Sequence, residues 1–169
     1  MRFVTIIALI ASVAMCTGAS AQDYPVRPIK LIVPYSAGGP ADVIARVVGQ
    51  RMSAIWGQAF VFENRGGAGG SIAGRAVASS DPDGYTLLFG ATGPLVISPL
   101  VFKLSDYDPS KSLVPIALVG TTSNILVVNP KLPVRSVQEL IAYAKANPGK
   151  LSYSSPGVGT PPHLIGEMF

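Results

Sequence analysis

The sequence predicts an α/β fold carried by parallel-rich sheet. Apolar runs of strand length alternate with helical periodicity from Ile29 to Phe89, a β-α-β-α-β series that implies right-handed crossovers. The first unit is the clearest. Ile29 to Val33 is an uninterrupted apolar-rich run suited to an interior parallel strand. Pro34 cannot donate to a ladder and stops it, and Gly38-Gly39 permit a sharp turn. Pro40 suits a first helical position, and Asp42 falls in the electropositive first turn.

Each later element has its own local signal. The first helix runs to Trp56-Gly57, with Ile44, Val47, Val48, Met52 and Ile55 expected on its packed face. Ala59 to Glu63 reads as a second strand. Asn64 to Gly70 is a glycine loop opening a small-residue helix from Ser71 to Ala78, and the loop is expected to serve tight helix–sheet packing. After the turn Asp81-Pro82-Asp83-Gly84, Tyr85 to Phe89 is a third strand. Leu95 to Leu113 reads as irregular. Val114 to Gly120, Ile125 to Val128 and Leu151 to Tyr153 read as further strands. Ser136-Val137-Gln138-Glu139 is a capping box opening a helix that Asn147-Pro148-Gly149 ends, and a last helix starts at Pro161. Phe169 falls about two turns into that helix, so the chain reads as a fragment.

Composition removes several function classes. The 169 residues are 49% hydrophobic and 13% charged, too apolar for a disordered chain. Met1-Arg2-Phe3, the apolar run Val4 to Ala14 and Ala19-Ser20-Ala21 form a secretory leader (residues 1–21) with cleavage after Ala21. Cys16 lies inside it, and bulky Met15 before it disfavours a lipid-anchored alternative. The mature chain then has no cysteine for a disulfide, a thiolate metal site or a nucleophile, which suits the periplasm. One positive charge, Arg2, leaves with the leader, so a net +4 becomes +3. The remaining basic residues are dispersed without interleaved aromatics, which excludes a nucleic-acid partner.

The glycine stretch Asn64 to Gly70 invites a nucleotide reading and does not fit it. After Gly67 and Gly69 the third fingerprint position is Ile72, and no lysine followed by serine or threonine closes any glycine run. No cofactor is expected. A hydrolase on this framework would have to use His163, the one histidine, with Ser154 or Ser155, but no G-x-S-x-G elbow exists. The loops Tyr35 to Gly39 and Ala91 to Gly93 lie beyond the carboxyl ends of strands, where α/β sheets bind ligands. In the first of these, several backbone N–H groups are expected to face open space as an anion seat. Ser154 to Thr160 is a second loop of hydroxyls and glycines before a helix start. Donors without a general base suit recognition of an acid rather than chemistry upon it.

These residues together resemble the substrate-binding proteins of tripartite tricarboxylate transporters, the Bug family. The resemblance rests on an ordered series: Tyr24-Pro-x-Arg27-Pro28-Ile29, Val33-Pro34-Tyr35-x-x-Gly38-Gly39-x-x-Asp42, and Glu63-Asn64-Arg65-x-Gly67-Ala68-Gly69-Gly70. Asp81 to Leu88, Tyr107-Asp108-Pro109, Val127 to Pro130 and Ser154-x-x-Gly157-x-Gly159-Thr160-Pro161-x-His163-Leu164 continue it. Ser36-Ala37 departs from it, since relatives often carry a proline there.

The resemblance implies a periplasmic-binding-protein-like fold of two lobes closing on a ligand. The first lobe covers residues 22–121, and the second, residues 122–169, is truncated. It implies a small carboxylate ligand (a di- or tricarboxylate, an acidic amino acid or an aromatic acid), delivered to a membrane permease. Carried over, the ligand contacts are Tyr35, Ser36, Gly38, Gly39, Ala91, Thr92 and Gly93 from the first lobe. Ser154, Ser155, Gly157, Gly159, Thr160 and His163 would come from the second. Asp42 would order its turn, since its charge repels an anion. An α/β hydrolase-like enzyme and a non-functional partial-gene fragment are the competing readings.

The mature chain is expected to begin at Gln22. Intact-mass measurement of exported protein checks this, and a lipid-modified Cys16 at the N-terminus would contradict it.

Overall fold

The computed structural model describes residues 23–169. The leader, Cys16 and the cleavage site lie outside them. The described chain is built on a three-stranded parallel sheet in the order β2-β1-β3, with β1 at Ile29–Val33, β2 at Phe60–Asn64 and β3 at Thr86–Leu88. Ile29 stands opposite Phe60 and Val33 opposite Asn64, while Lys30 pairs with Thr86 and Ile32 with Leu88. Ile29, Leu31, Ile32 and Val33 are all buried, as a central strand covered on both faces requires.

Helix α1, Pro40–Trp56, leaves the glycine turn and packs across β1 and β2. Pro40 sits in its first turn, and Gly57 ends it in a left-handed conformation with its N–H bonded to the Ser53 carbonyl. The packed face differs from the one its large apolar residues suggest. Ile44, Val47 and Ile55 are exposed, whereas Ala41, Ala45 and Gly49 face the sheet, Ala45 within the core of Leu31 and Val33. The reason is close approach. A Cβ at Gly49 would lie 2.6 Å from the Phe62 ring, so the helix can sit this near β2 only with small residues between them.

Helix α2, Ser71–Ala78, packs over β3 and β1. The stretch expected to be irregular is partly helical: a wide turn at Gly93–Ile97 continues into α3, Ser98–Val101, and α4 follows at Pro109–Ser112. Proline opens α3 and α4 and the Asp108 side chain caps Ser110, signals that a window dominated by turn formers concealed.

The expected strands at 114–120, 125–128 and 151–153 do not form. Val114, Ile116 and Leu118 are 88, 79 and 82% exposed. Alternating β-branched residues favour a strand only where a neighbouring ladder and a packed face exist, and no described segment supplies either here. Helices α5, Val137–Ala146, and α6, Pro161–Met168, begin where expected. Ser136 Oγ accepts from the Glu139 N–H at 3.2 Å, and Glu139 returns to the Arg135 N–H at 2.6 Å, one residue earlier than a strict capping box.

Gly74 in α2 tests this packing. Alanine would ordinarily stabilise a helix interior by about 0.5–1 kcal/mol over glycine. Here its Cβ would press into the ring of buried Tyr107, 2.6 Å from Cζ. Overpacking of that kind costs about 1–3 kcal/mol, so Gly74→Ala is expected to be net destabilising in urea denaturation. A stabilised variant would show that Tyr107 yields freely.

Candidate functional site

The carboxyl ends of all three strands point to one edge of the sheet, where the loops after them meet. The first is ordered by Asp42, 3% exposed. Its Oδ2 accepts from the Gly38 N–H at 2.8 Å and from Arg46 Nε at 3.0 Å, and its Oδ1 accepts from Asn64 Nδ2 at 3.1 Å. Asn64 Nδ2 also donates to the Tyr35 carbonyl at 3.0 Å, which links the end of β2 to the end of β1. Foremost the Arg46 hydrogen bond, then the Gly38 N–H and Asn64, hold the Asp42 carboxyl down at about 2.

Two donors of the expected anion seat are engaged within the turn. The Gly38 N–H is taken by Asp42, and the Gly39 N–H donates to the Ser36 carbonyl at 3.3 Å. Both glycine donors of the first loop therefore serve the turn itself.

The loop after β2 adds further donors beside those of Ser36 and Ala37, whose N–H groups have no hydrogen-bond partner among the described residues. Gly67, Ala68, Gly69 and Gly70 have consecutive positive φ values of 111, 47, 61 and 96°. Glycine makes this run possible, and Ala68 is one of two non-glycine residues in that region among those described. The Gly70 N–H bonds to the Gly67 carbonyl, but no hydrogen bond among the described residues uses the N–H of Ala68 or Gly69. All four residues line a cleft of about 290 Å³ together with Tyr35, Phe102, Pro156, Gly157 and Val158. Its lining contains no charged side chain.

The cleft is held by a close meeting of backbones. A Cβ on Gly93 would lie 2.6 Å from both the Gly69 carbonyl oxygen and the Tyr35 hydroxyl, and 3.3 Å from the Gly159 carbonyl oxygen. Ser98, fully buried, donates its hydroxyl to the Gly159 carbonyl at 3.1 Å. Thr160 Oγ1 donates to the Gly157 carbonyl at 2.6 Å, and Ser155 Oγ accepts from the Gly157 N–H at 3.3 Å. Desolvation raises the pKa of half-buried Tyr35 above its ordinary value.

Of the residues carried over from the sequence, Tyr35 and Gly157 line the cleft, and Gly93, Gly159, Thr160 and Ser155 shape it from behind. Ser36, Gly38 and Gly39 form the neighbouring turn. Ala91 accepts from the Leu95 N–H, while Thr92 and Ser154 are exposed. His163 sits in the first turn of α6, outside the lining, and its buried Nδ1 has no hydrogen-bond partner among the described residues. The residues that sequence reasoning missed are Gly67 to Gly70, Phe102, Pro156 and Val158 in the lining and Ser98 behind it. The glycine loop was detectable, because it too follows the carboxyl end of a strand; the contacts of Ser98 and Phe102 were not.

The Asp42 network makes an acid-stability prediction. A carboxyl whose folded pKa is about 2, below its ordinary 3.8, contributes stability above its unfolded pKa and loses it as pH falls through the folded one. Unfolding free energy is expected to fall between about pH 4 and pH 2 more steeply in the parent than in Asp42→Asn. Identical slopes in urea titrations would remove Asp42 from the account of the loop.

Known proteins resemble this chain in sequence and fold. A family model described as the tripartite tricarboxylate transporter family receptor matches residues 44–169. Protein BugT of Bordetella pertussis is 40% identical over 161 residues, covering 95% of this chain and 49% of its own. A solved structure described as a periplasmic transporter superposes with a TM-score of 0.81 at 42% identity, over 86% of this chain and 49% of that one. A Rhodopseudomonas palustris protein solved with adipate gives 0.77 at 38% identity, over 82% and 46%. MatC from the same organism, with bound malate, gives 0.68 at 33% identity, over 73% and 42%. The fold is thus the α/β fold of periplasmic binding proteins, and the chain spans about half the length of the relatives it matches. By the match over residues 44–169 and the ordered likeness along nearly the whole described chain, this protein belongs to the tripartite tricarboxylate transporter receptor family.

Proposed function

We propose that this chain forms the carboxylate-binding part of a periplasmic receptor that captures a small organic acid for a tripartite tricarboxylate transporter. Residues 22–121 form the first lobe and residues 122–169 the opening of the second, with the leader removed after Ala21. The membrane permease is the partner that receives the ligand. The observation that carries this reading is the cleft of about 290 Å³ lined by Ala68 and Gly69, whose N–H groups have no hydrogen-bond partner among the described residues. Successive main-chain donors in left-handed conformation form a concave seat for an anion, and they bind it without a counter-charge. The adipate-bound and malate-bound relatives support the same ligand class.

The groups near the cleft support binding without turnover. Ser98 is hydrogen-bonded to the Gly159 carbonyl rather than to an imidazole, and His163 is not in the cleft lining. No nucleophile–base pair is therefore assembled there among the described residues.

Ligand-observed saturation-transfer NMR on the exported chain tests this, with adipate and malate as probes. Saturable transfer is expected, with both acids recovered unchanged. A receptor held at about 100 times its dissociation constant gains roughly 2.7 kcal/mol of stability, so the melting temperature should rise as well. Absence of saturable binding, or chemical conversion of either acid, would contradict the reading.

A further inference from the structure

We propose that Phe102 is a specificity-determining residue of the cleft, favouring carboxylic acids with a hydrocarbon body over hydroxylated ones. The inference rests on the receptor reading above and narrows its ligand class. Beyond the glycine loop, the cleft wall is contributed by Phe102, Pro156, Val158 and the ring of Tyr35. None of these carries a charge, and methylene groups placed against them leave water at no polar penalty.

Three hydroxyls near that wall are engaged with the main chain, while the Tyr35 hydroxyl of the lining has no hydrogen-bond partner among the described residues. Ser98 donates to the Gly159 carbonyl, Thr160 donates to the Gly157 carbonyl, and Ser155 accepts from the Gly157 N–H. The Tyr35 hydroxyl lies against Gly93. A ligand hydroxyl brought up to the Phe102 ring would shed water against a face that offers no hydrogen bond, which is unfavourable. A site lacking the matching polar group discriminates in favour of the apolar analogue.

Phe102 is also held in place. Its N–H bonds to the Ser98 carbonyl at 2.9 Å, closing α3, and the following Lys103 takes a left-handed φ of 49°. Cε2 of the ring lies 3.1 Å from where a Cβ on Gly159 would be, so the ring packs on the bare backbone of the loop that carries Gly157 and Val158. A ring fixed by a helix end on one side and a glycine on the other can act as a gauge.

The test is a saturation-transfer titration of the full chain and its Phe102→Tyr and Phe102→Ala variants with adipate and malate, with thermal melts as folding controls. The parent should bind adipate more tightly than malate. Phe102→Ala should weaken adipate about tenfold and leave malate within about twofold. Phe102→Tyr, which keeps the ring and adds a hydroxyl, should shift the adipate-to-malate ratio at least about threefold toward malate. An unchanged ratio in folded Phe102→Tyr, or a parent that prefers malate, would overturn the assignment while leaving the receptor reading intact. Binding of neither acid by the parent would overturn both.

Discussion

The carboxylate of Asp42 is the constraint from which the rest of the site geometry follows. It lies in the first turn of α1 and reaches back to the Gly38 N–H, across to Arg46 and over to Asn64 at the end of β2. Buried and ionised, it must be hydrogen-bonded, and these three partners satisfy it. Because Asn64 also holds the Tyr35 carbonyl, one group fixes the ends of two adjacent strands and the start of the helix between them. The consequence for function is indirect. Asp42 engages the Gly38 N–H, and the next loop, Gly67 to Gly70, lines the cleft at the same sheet edge.

That second loop is supported by contacts that admit no side chain. Gly69, Gly93 and Gly159 come from three separate segments, yet their backbones approach closely enough that a Cβ on any of them would collide. Ser98 bridges from α3 to the Gly159 carbonyl within this knot. Close packing of bare backbone makes a rigid wall, and a wall set before the ligand arrives reduces the ordering that binding must impose. The polar capacity of the cleft lies in main-chain groups and the Tyr35 hydroxyl, and its other side chains are apolar. This division matches the needs of a protein that holds an acid and releases it unaltered.

The sheet and its helix starts were legible because local and global preferences agree there. Ile29 to Val33 is apolar except for exposed Lys30 because the strand is central to the sheet, and Pro40 and Gly57 mark the limits of α1. The face of α1 was misread because large apolar residues dominate a periodicity count, while close packing on Phe62 selects Ala45 and Gly49. Val114 to Val128 carries strand propensity with no described partner to realise it. At the site, Tyr35 and Gly157 were legible from their loops, and the Asp42 role from its charge and position. Gly38 and Gly39 were expected as ligand donors, and the bond from the Gly38 N–H to Asp42 is one that a glycine turn beside a helix start does not reveal in sequence. Ser98 and Phe102 were beyond reach, since their meaning comes from contacts with a loop some sixty residues away.

The central claim is that the Gly67–Gly70 loop, and not the Gly38–Gly39 turn, seats the carboxylate. Amide chemical-shift mapping of the isotope-labelled chain during titration with adipate tests it most directly. The account predicts saturable shifts at the N–H groups of Ala68 and Gly69, with Gly38 and Gly39 unmoved. Shifts confined to Gly38 and Gly39, with Ala68 and Gly69 silent, would contradict it.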